Sequence, residues 1–482
     1  MGFVLAVCSY RIPHDGRVVT GGPVGCFDEV SNDDFRFLDV GLPSEIALLK
    51  SAGYLEQAVA ACDRLLGRNP DPSLAACLRA ERYRMRELPR QFCVPRSRAI
   101  EMIRGEWPDF TDEQFDELVE NKRVDWRFVD GEPYVLANFL DSLRVYPWEV
   151  PGLEPEPPRD NAKRGAMLAA MRRDGGAARI ITIRASIEVP GAKPGETVRA
   201  WLPVPAACAQ QSQIEILDAT PGASVAPEDA PARTISWESS DRHAFEVTYR
   251  YRIDAPYTDA YTGELPHVPN MDAPRLDDVS ETRPHIVFTP CLRDLAAHVA
   301  KGIENPLDRA RAIYDYVTEN VDYRYQPSYS QLDIIPEDCV RSLRGDCGVM
   351  ALAFITMCRI ARIPARWQSG LYVAPDHIGP HDWAEFYTPE TGWLWADCSF
   401  GSSARRNGET VRRRHYFGNL DPWRMVANSR FEADFSPACD GIRDDPYDNQ
   451  MGEAGVDGRG CRAHGMLRTV ELLSMDEVPF CP

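Results

Sequence analysis

A chain of 482 residues suggests roughly three domains at about 150 residues each. It is 44% hydrophobic, 10% aromatic and 26% charged, which excludes wholesale disorder. Acidic residues number 73 against 54 basic, a formal charge of −19, and this excludes general binding to nucleic acid or anionic membrane, where Lys and Arg supply the affinity.

No apolar run reaches the ~18 residues of a membrane span. The opening residues MGFVLAVCSYRIPHDG lack a basic n-region and a small-residue cleavage site, so they read as a buried strand rather than a secretion signal. The 14 cysteines are scattered and form no CxxC pair. They read as reduced, mostly buried thiols, and a cytoplasmic location is expected.

Between Pro43 and Glu87, apolar residues such as Ile46, Leu49, Ala58, Cys62 and Leu65 recur at spacings of three and four, which predicts antiparallel helix pairs. Thr111 with Gln114 three residues on predicts a capped helix start. Asp130-Gly131 between alternating apolar residues predicts a β-hairpin. A helix followed by a hairpin could bind DNA, but the acidic surroundings favour a structural or protein-contact module.

Prolines at 147, 151, 155, 157 and 158 predict a linker over 148–177 that ends in a short polar helix. Beyond it the period becomes two. Ile181, Ile183, Ala185 and Ile187 alternate with polar residues, and further short strands follow to Tyr251. That pattern predicts a β-sandwich over 178–258. Residues 259–287 read as a covering connector, and helices resume at Pro290 and after Asn305.

Gly345-Asp346-Cys347-Gly348 precedes a run to Ile363 whose plainly polar members are Thr356, Arg359 and Arg362. The run predicts a helix buried except for one narrow polar stripe, with Cys347 in its first turn. A helix N-terminus carries about half a positive charge and free backbone N–H groups. Both favour a thiolate and can later hold an oxyanion. With an imidazole nearby, the expectation is a lowered thiol pKa and the most reactive of the cysteines. Cys358, mid-helix, reads as a core thiol.

Downstream, His381, Trp383 and Glu385 share one face of a strand, and Trp393, Trp395 and Asp397 one face of a second. A turn centred on Glu390 would make His381 and Asp397 diagonal neighbours, ~7–8 Å apart at Cα. A slip of one residue would instead face His381 toward Cys398. A nucleophile at a helix start, with a base and its orienting carboxylate on an adjacent hairpin, is the logic of Cys-His-Asp acyl transfer.

GDCGVMALAFITMCRIARIPAR (345–366) resembles the cysteine helix of the transglutaminase-like superfamily, closed by Ile363-Pro364-Ala365-Arg366. HDWAEFYTPETGWLWADCSFG (381–401) resembles the histidine and aspartate strands of that superfamily. The resemblance covers about 288–420 and assigns the catalytic cysteine, histidine and aspartate to Cys347, His381 and Asp397. Trp201-Leu202-Pro203-Val204-Pro205 looks like the sandwich that precedes such cores in bacterial members. Relatives place aromatic or Gln residues upstream as a second oxyanion donor, which makes Tyr323, Tyr325 and Gln331 candidates, with Trp383 as a candidate substrate contact.

The expected architecture is multidomain α+β. It comprises a mainly helical region with a hairpin (1–147), the linker, the sandwich, the connector, a papain-like core with its cysteine helix packed on an antiparallel sheet (288–420), and an extension (421–482).

The implied activity is thioester formation on a peptide or amide. Water would resolve the thioester in a peptidase or amidase, the favoured outcome, and an amine in a transamidase. The alternative is a non-catalytic interaction scaffold with a relic core. A protein or peptide substrate is expected, with no nucleic-acid or membrane partner and no cofactor. No loop has calcium-ligand spacing, unlike the animal transglutaminases. Ile378-Gly379-Pro380 prevents the helix that would align His377 and His381 as metal ligands. Asp444–Gln450 is polar and broken by Pro446, and it reads either as a loop that covers the cleft or as a plain surface loop, with no physical reason to favour the first.

Overall fold

The computed structural model describes residues 30–145, 162–262, 272–439 and 441–480, which divide into two compact units. The opening segment expected as a strand, the prolines of the expected linker and residues 263–271 of the connector lie outside the described residues.

One unit comprises 30–145 with 323–333. Helices Ser44–Ser51, Leu55–Leu66 and Pro72–Gln91 bury Ile46, Ala58, Cys62 and Leu78 on the faces that the three-four spacing defines. Thr111 caps Asp112–Glu120 reciprocally: Gln114 N donates to Thr111 Oγ1 (3.2 Å) and Thr111 N to Gln114 Oε1 (2.9 Å). Asp130 and Gly131 both take positive φ (51° and 81°), the two-residue turn whose twist matches a hairpin. Their strands, Trp126–Val129 and Glu132–Leu136, join Phe92–Pro95 in a three-stranded sheet.

The other unit comprises 162–322 and 334–480. Strand Gly176–Glu188 buries Ile181, Ile183, Ala185 and Ile187, as the period of two requires. It lies between Ala244–Pro256 and Leu467–Val478 in a four-stranded sheet completed by Gln211–Ala219. A five-stranded sheet faces it, in the order Arg459–Gly460, Glu453–Val456, Val198–Pro203, Thr234–Ser239, Ser224–Val225. Their shared core also takes Leu371, Val373, Met425 and Ala427 from a third sheet.

That third sheet positions the site. Its strands run Phe417–Gly418, Gly392–Ala396, His377–Thr388, Ala365–Ala374, Arg424–Asn428, and each adjacent pair whose register is defined is antiparallel. Helix Cys347–Ile360 packs on the sheet, and every residue from Gly348 to Arg359 is buried. Of the expected polar stripe, Thr356 and Arg359 are therefore buried too, while Arg362 lies past the helix end and is exposed. Thr356 Oγ1 donates to Leu352 O (2.7 Å), and Arg359 Nε donates to Ala365 O (2.9 Å).

Two further differences concern the ends of expected segments. Helix Ala162–Asp174 buries Met167, Leu168 and Met171 against Tyr372 and Trp423, so that part of the expected linker is packed structure. The expected extension after 420 supplies an edge strand to the third sheet and strands to both others. The pairings in the other two sheets join residues over 200 apart in the chain, which no local period announces.

Candidate active site

Asp346 caps the cysteine helix, its Oδ1 accepting from Val349 N (3.0 Å), and this sets Cys347 at the first helical position. The thiol is half-buried. It donates to Asp382 Oδ2 at 3.1 Å, and the backbone N–H of Asp382 also bonds the sulfur. Loss of solvation, then the carboxylates of Asp382 and Asp346, push the Cys347 pKa well above the ordinary thiol value. This reverses the expectation of a lowered pKa, because the helix terminus is outweighed by burial first and then by the acidic groups beside it.

The hairpin has the register that a turn at Glu390 predicts: Ala384 stands opposite Ala396, Glu385 opposite Trp395 and Tyr387 opposite Trp393. The ladder ends at Ala396. Asp397 leaves it to cap helix Cys398–Arg406, its Oδ1 accepting from Phe400 N (2.9 Å) and Ser399 Oγ (3.0 Å). Its Oδ2 meets His381 Nε2 at 2.7 Å. The carboxylate can only accept, so Nε2 carries the proton and Nδ1 is the basic nitrogen.

Arg424, fully buried, places Nη1 2.9 Å from the same Oδ2 and Nη2 3.0 Å from Asp421. Burial alone would raise the Asp397 pKa. The charges of His381 and Arg424, with the hydrogen bonds of His381 and Phe400 N, override it and hold the carboxyl well below the usual range. For His381, burial lowers the imidazole pKa and Asp397 opposes that. The ring is walled by Phe400 (4.6 Å between centroids), Trp383 (6.0 Å) and Tyr372 (6.1 Å). The result is a neutral imidazole held in one tautomer and one orientation.

Trp383 is fully buried and donates its Nε1–H to Gln368 Oε1 (2.7 Å). It packs as a wall of the core beside Trp395, Leu420 and Val426. Glu385 braces the hairpin by accepting from Arg366 Nε (2.6 Å), whose Nη1 reaches Asp272 Oδ2 (2.6 Å). Tyr323, Tyr325 and Gln331 sit in the other unit. There Tyr325 N donates to Ser142 Oγ (3.1 Å), Gln331 Nε2 donates to Arg84 O (3.2 Å), and the two tyrosine rings meet edge to face at 5.9 Å.

Sequence reasoning missed Asp382, Arg424, Asp448 and Gln450. The segment read as a surface loop is buried at Tyr447, Asp448 and Asn449, and Gln450 Nε2 donates to Asp382 Oδ1 at 2.5 Å. Among the described residues, no group of three or more His, Cys, Asp or Glu could hold a metal ion.

Residues 293–398 match the family model described as the transglutaminase-like superfamily. The uncharacterised protein YebA of Bacillus subtilis (strain 168) is 27% identical over 123 residues, 21% of this chain and 16% of YebA, so the match spans about a sixth of that relative. Among solved structures, a protein of Cytophaga hutchinsonii provisionally assigned as a cysteine protease is 18% identical, covering 64% of this chain and 94% of its own, with a TM-score of 0.39. The periplasmic domain of TgpA from Pseudomonas aeruginosa is 16% identical, covering 52% of this chain and 96% of its own, with a TM-score of 0.27.

Proposed function

From the transglutaminase-like core carried by residues 293–398, we propose that this chain is a cysteine-dependent enzyme that acts on an amide in a peptide or protein. One observation carries the reading. His381 is fixed by a 2.7 Å bond to a fully buried Asp397, and the next residue in the strand, Asp382, touches the sulfur of Cys347 at a helix start.

The steps follow from the atoms. Cys347 Sγ attacks the substrate carbonyl as its proton passes to His381 Nδ1. Asp397 stabilises the imidazolium through Nε2–H. The C–N bond breaks, the amine leaves with the imidazolium proton, and a thioester remains on Sγ. The neutral imidazole then takes a proton from water, and hydroxide attack on the thioester releases a carboxylic acid and restores the thiol. An attacking amine would instead give a new amide. Hydrolysis is the favoured outcome.

The test is incubation of wild type and Cys347→Ala with a peptide library, with and without a primary-amine probe, read by mass spectrometry. Cleaved or deamidated products that need Cys347 support the reading, and amine-labelled products redirect it to transamidation. Equal turnover by Cys347→Ala overturns it.

A further inference from the structure

The hydrogen-bond partner of the Cys347 sulfur in this structure is Asp382, a residue that the triad does not use. Asp382 is 4% exposed. Its Oδ2 lies 3.1 Å from Sγ, and its Oδ1 accepts from Gln450 Nε2 at 2.5 Å. Its carboxyl is also hydrogen-bonded to the carboxyl of Asp448, which is 6% exposed. Two buried carboxyls in contact cannot both ionise cheaply, so they hold one proton between them. Asp448 Oδ1 accepts from Ser369 Oγ (2.6 Å) and Asn449 N (2.8 Å). Each carboxyl takes two neutral donors, Asp382 from Gln450 and the Cys347 thiol, so the charges around them decide: Arg443 steadies a carboxylate on Asp448 and Asp346 opposes one on Asp382, which favours the charge on Asp448 and the proton on Asp382.

We propose that Asp382 is a positioning residue that sets the ionisation of Cys347 through the proton it shares with Asp448. While the pair keeps that proton, the group beside the sulfur is a neutral carboxyl, which can donate to the thiolate that forms. Once the pair loses it, a carboxylate faces the sulfur at 3.1 Å and holds the thiol protonated.

The groups around the pair come from each element packed on it. Asp346 stands on the cysteine helix, His381 on the strand of Asp382, and Ser369 on the neighbouring strand. Asn428 Nδ2 donates to Ser369 Oγ (3.0 Å) from the edge strand, and Arg443, Asp445 and Gln450 come from the C-terminal segment. Burial raises both carboxyls of the pair, Asp382 well above the ordinary range, while Arg443 pulls Asp448 back. The inference rests on Cys347 being the nucleophile of the proposed reaction, yet it can be tested without a substrate.

The test is the rate of iodoacetamide alkylation at the Cys347 peptide, followed by mass spectrometry from pH 5 to 10, with thermal melts to confirm folding. Asp382→Asn removes the ionisable group beside the sulfur, and the alkylation midpoint falls by about one pH unit or more. Asp448→Asn removes the proton-sharing partner, Asp382 ionises more readily, and the midpoint rises. A merely structural role would not move the two in opposite directions. Profiles that superimpose on wild type, or that shift in the same direction, overturn the proposal. Should Asp382→Asn fail to fold, Ser369→Ala reads the same pair. Loss of a donor to Asp448 moves the proton onto Asp448 and charges Asp382, so the midpoint rises, and an unmoved profile overturns the proposal. A chain that alkylates as described but turns over no amide would sink the proposed activity and leave this inference standing.

Discussion

Replacing Asp397 with Asn alters no shape and tests two consequences of one carboxylate. Phe400 N and Ser399 Oγ hold the side-chain oxygen at the Oδ1 position, 2.9 and 3.0 Å away. The new NH2 group therefore takes the place of Oδ2 and faces two donors, His381 Nε2 and Arg424 Nη1, which wild type keeps at 2.7 and 2.9 Å. The imidazole escapes the clash by moving its proton to Nδ1, the nitrogen that must accept from the thiol. The corresponding change in a serine-protease triad costs about 10⁴ in kcat, and a thiol needs less help than a hydroxyl, so a loss on the order of 10²–10³ is expected. Breaking a buried ion pair costs about 3–5 kcal/mol. Here Asp421 remains on Arg424 at 3.0 Å, which places the loss toward the lower figure. Urea unfolding gives the stability, and kcat on any amide that wild type turns over gives the chemistry. A folded Asp397→Asn protein with near-wild-type kcat would mean that Asp397 is only a helix cap. Unchanged stability would mean that the Arg424 charge does not depend on it.

Cys347→Ala abolishes turnover, and adding Asp397→Asn to it costs nothing further in rate, because the groups act as one unit; any residual rate in the single variant that the second change lowers would contradict this. Gly370 stands opposite His381, and a Cβ there would lie 2.0 Å from Met425 O, so Gly370→Ala destabilises the sheet by about 1–3 kcal/mol in a urea melt. Burial, with Asp448 beside it, pushes the Asp445 carboxyl up to about 7. The folded chain then holds a proton that the unfolded chain releases near pH 4, and stability falls as pH rises from there to about 7. Asp445→Asn flattens that slope, and a urea-midpoint profile identical to wild type counts against the assignment.

The parts of the site legible in the sequence are those whose signals are local. Cys347 is marked by its place in the first turn of a long, mostly apolar helix, and the His381–Asp397 pairing by a turn centred on Glu390, with a slip of one residue left for the structure to decide. Asp382 carries no such mark. A single carboxylate in an alternating strand reads as a solvated face, and its partners Asp448 and Gln450 lie more than 60 residues downstream. Arg424 follows a Pro-Trp pair and carries no local mark of its role. Asp444–Gln450 shows how composition misleads: a polar stretch can be buried when its polar groups are paired, as Asp445 with Tyr447 N (2.8 Å) and Asp448 with Ser369 are. The direction of the Cys347 pKa was misread for the same reason, since helix position is visible in one window and facing carboxyls are not.

The C-terminal strands have a consequence for how this machinery can be made or moved. Residues 293–398 contain the cysteine, the histidine and the aspartate, but the arginine that leans on Asp397 and the two groups that hold Asp382 come from 424, 448 and 450. The strand that follows them is locked to Gly176–Glu188, nearly 300 positions earlier. During synthesis Cys347, His381 and Asp397 emerge while Arg424, Asp448 and Gln450 are still unmade, so a nascent chain carries the proposed nucleophile without the groups that surround it here. An excised core would be left in that immature state, with buried carboxylates lacking their counterparts. The candidate site is thus assembled from distant parts of the unit formed by 162–322 and 334–480, and moving 293–398 alone would leave those parts behind.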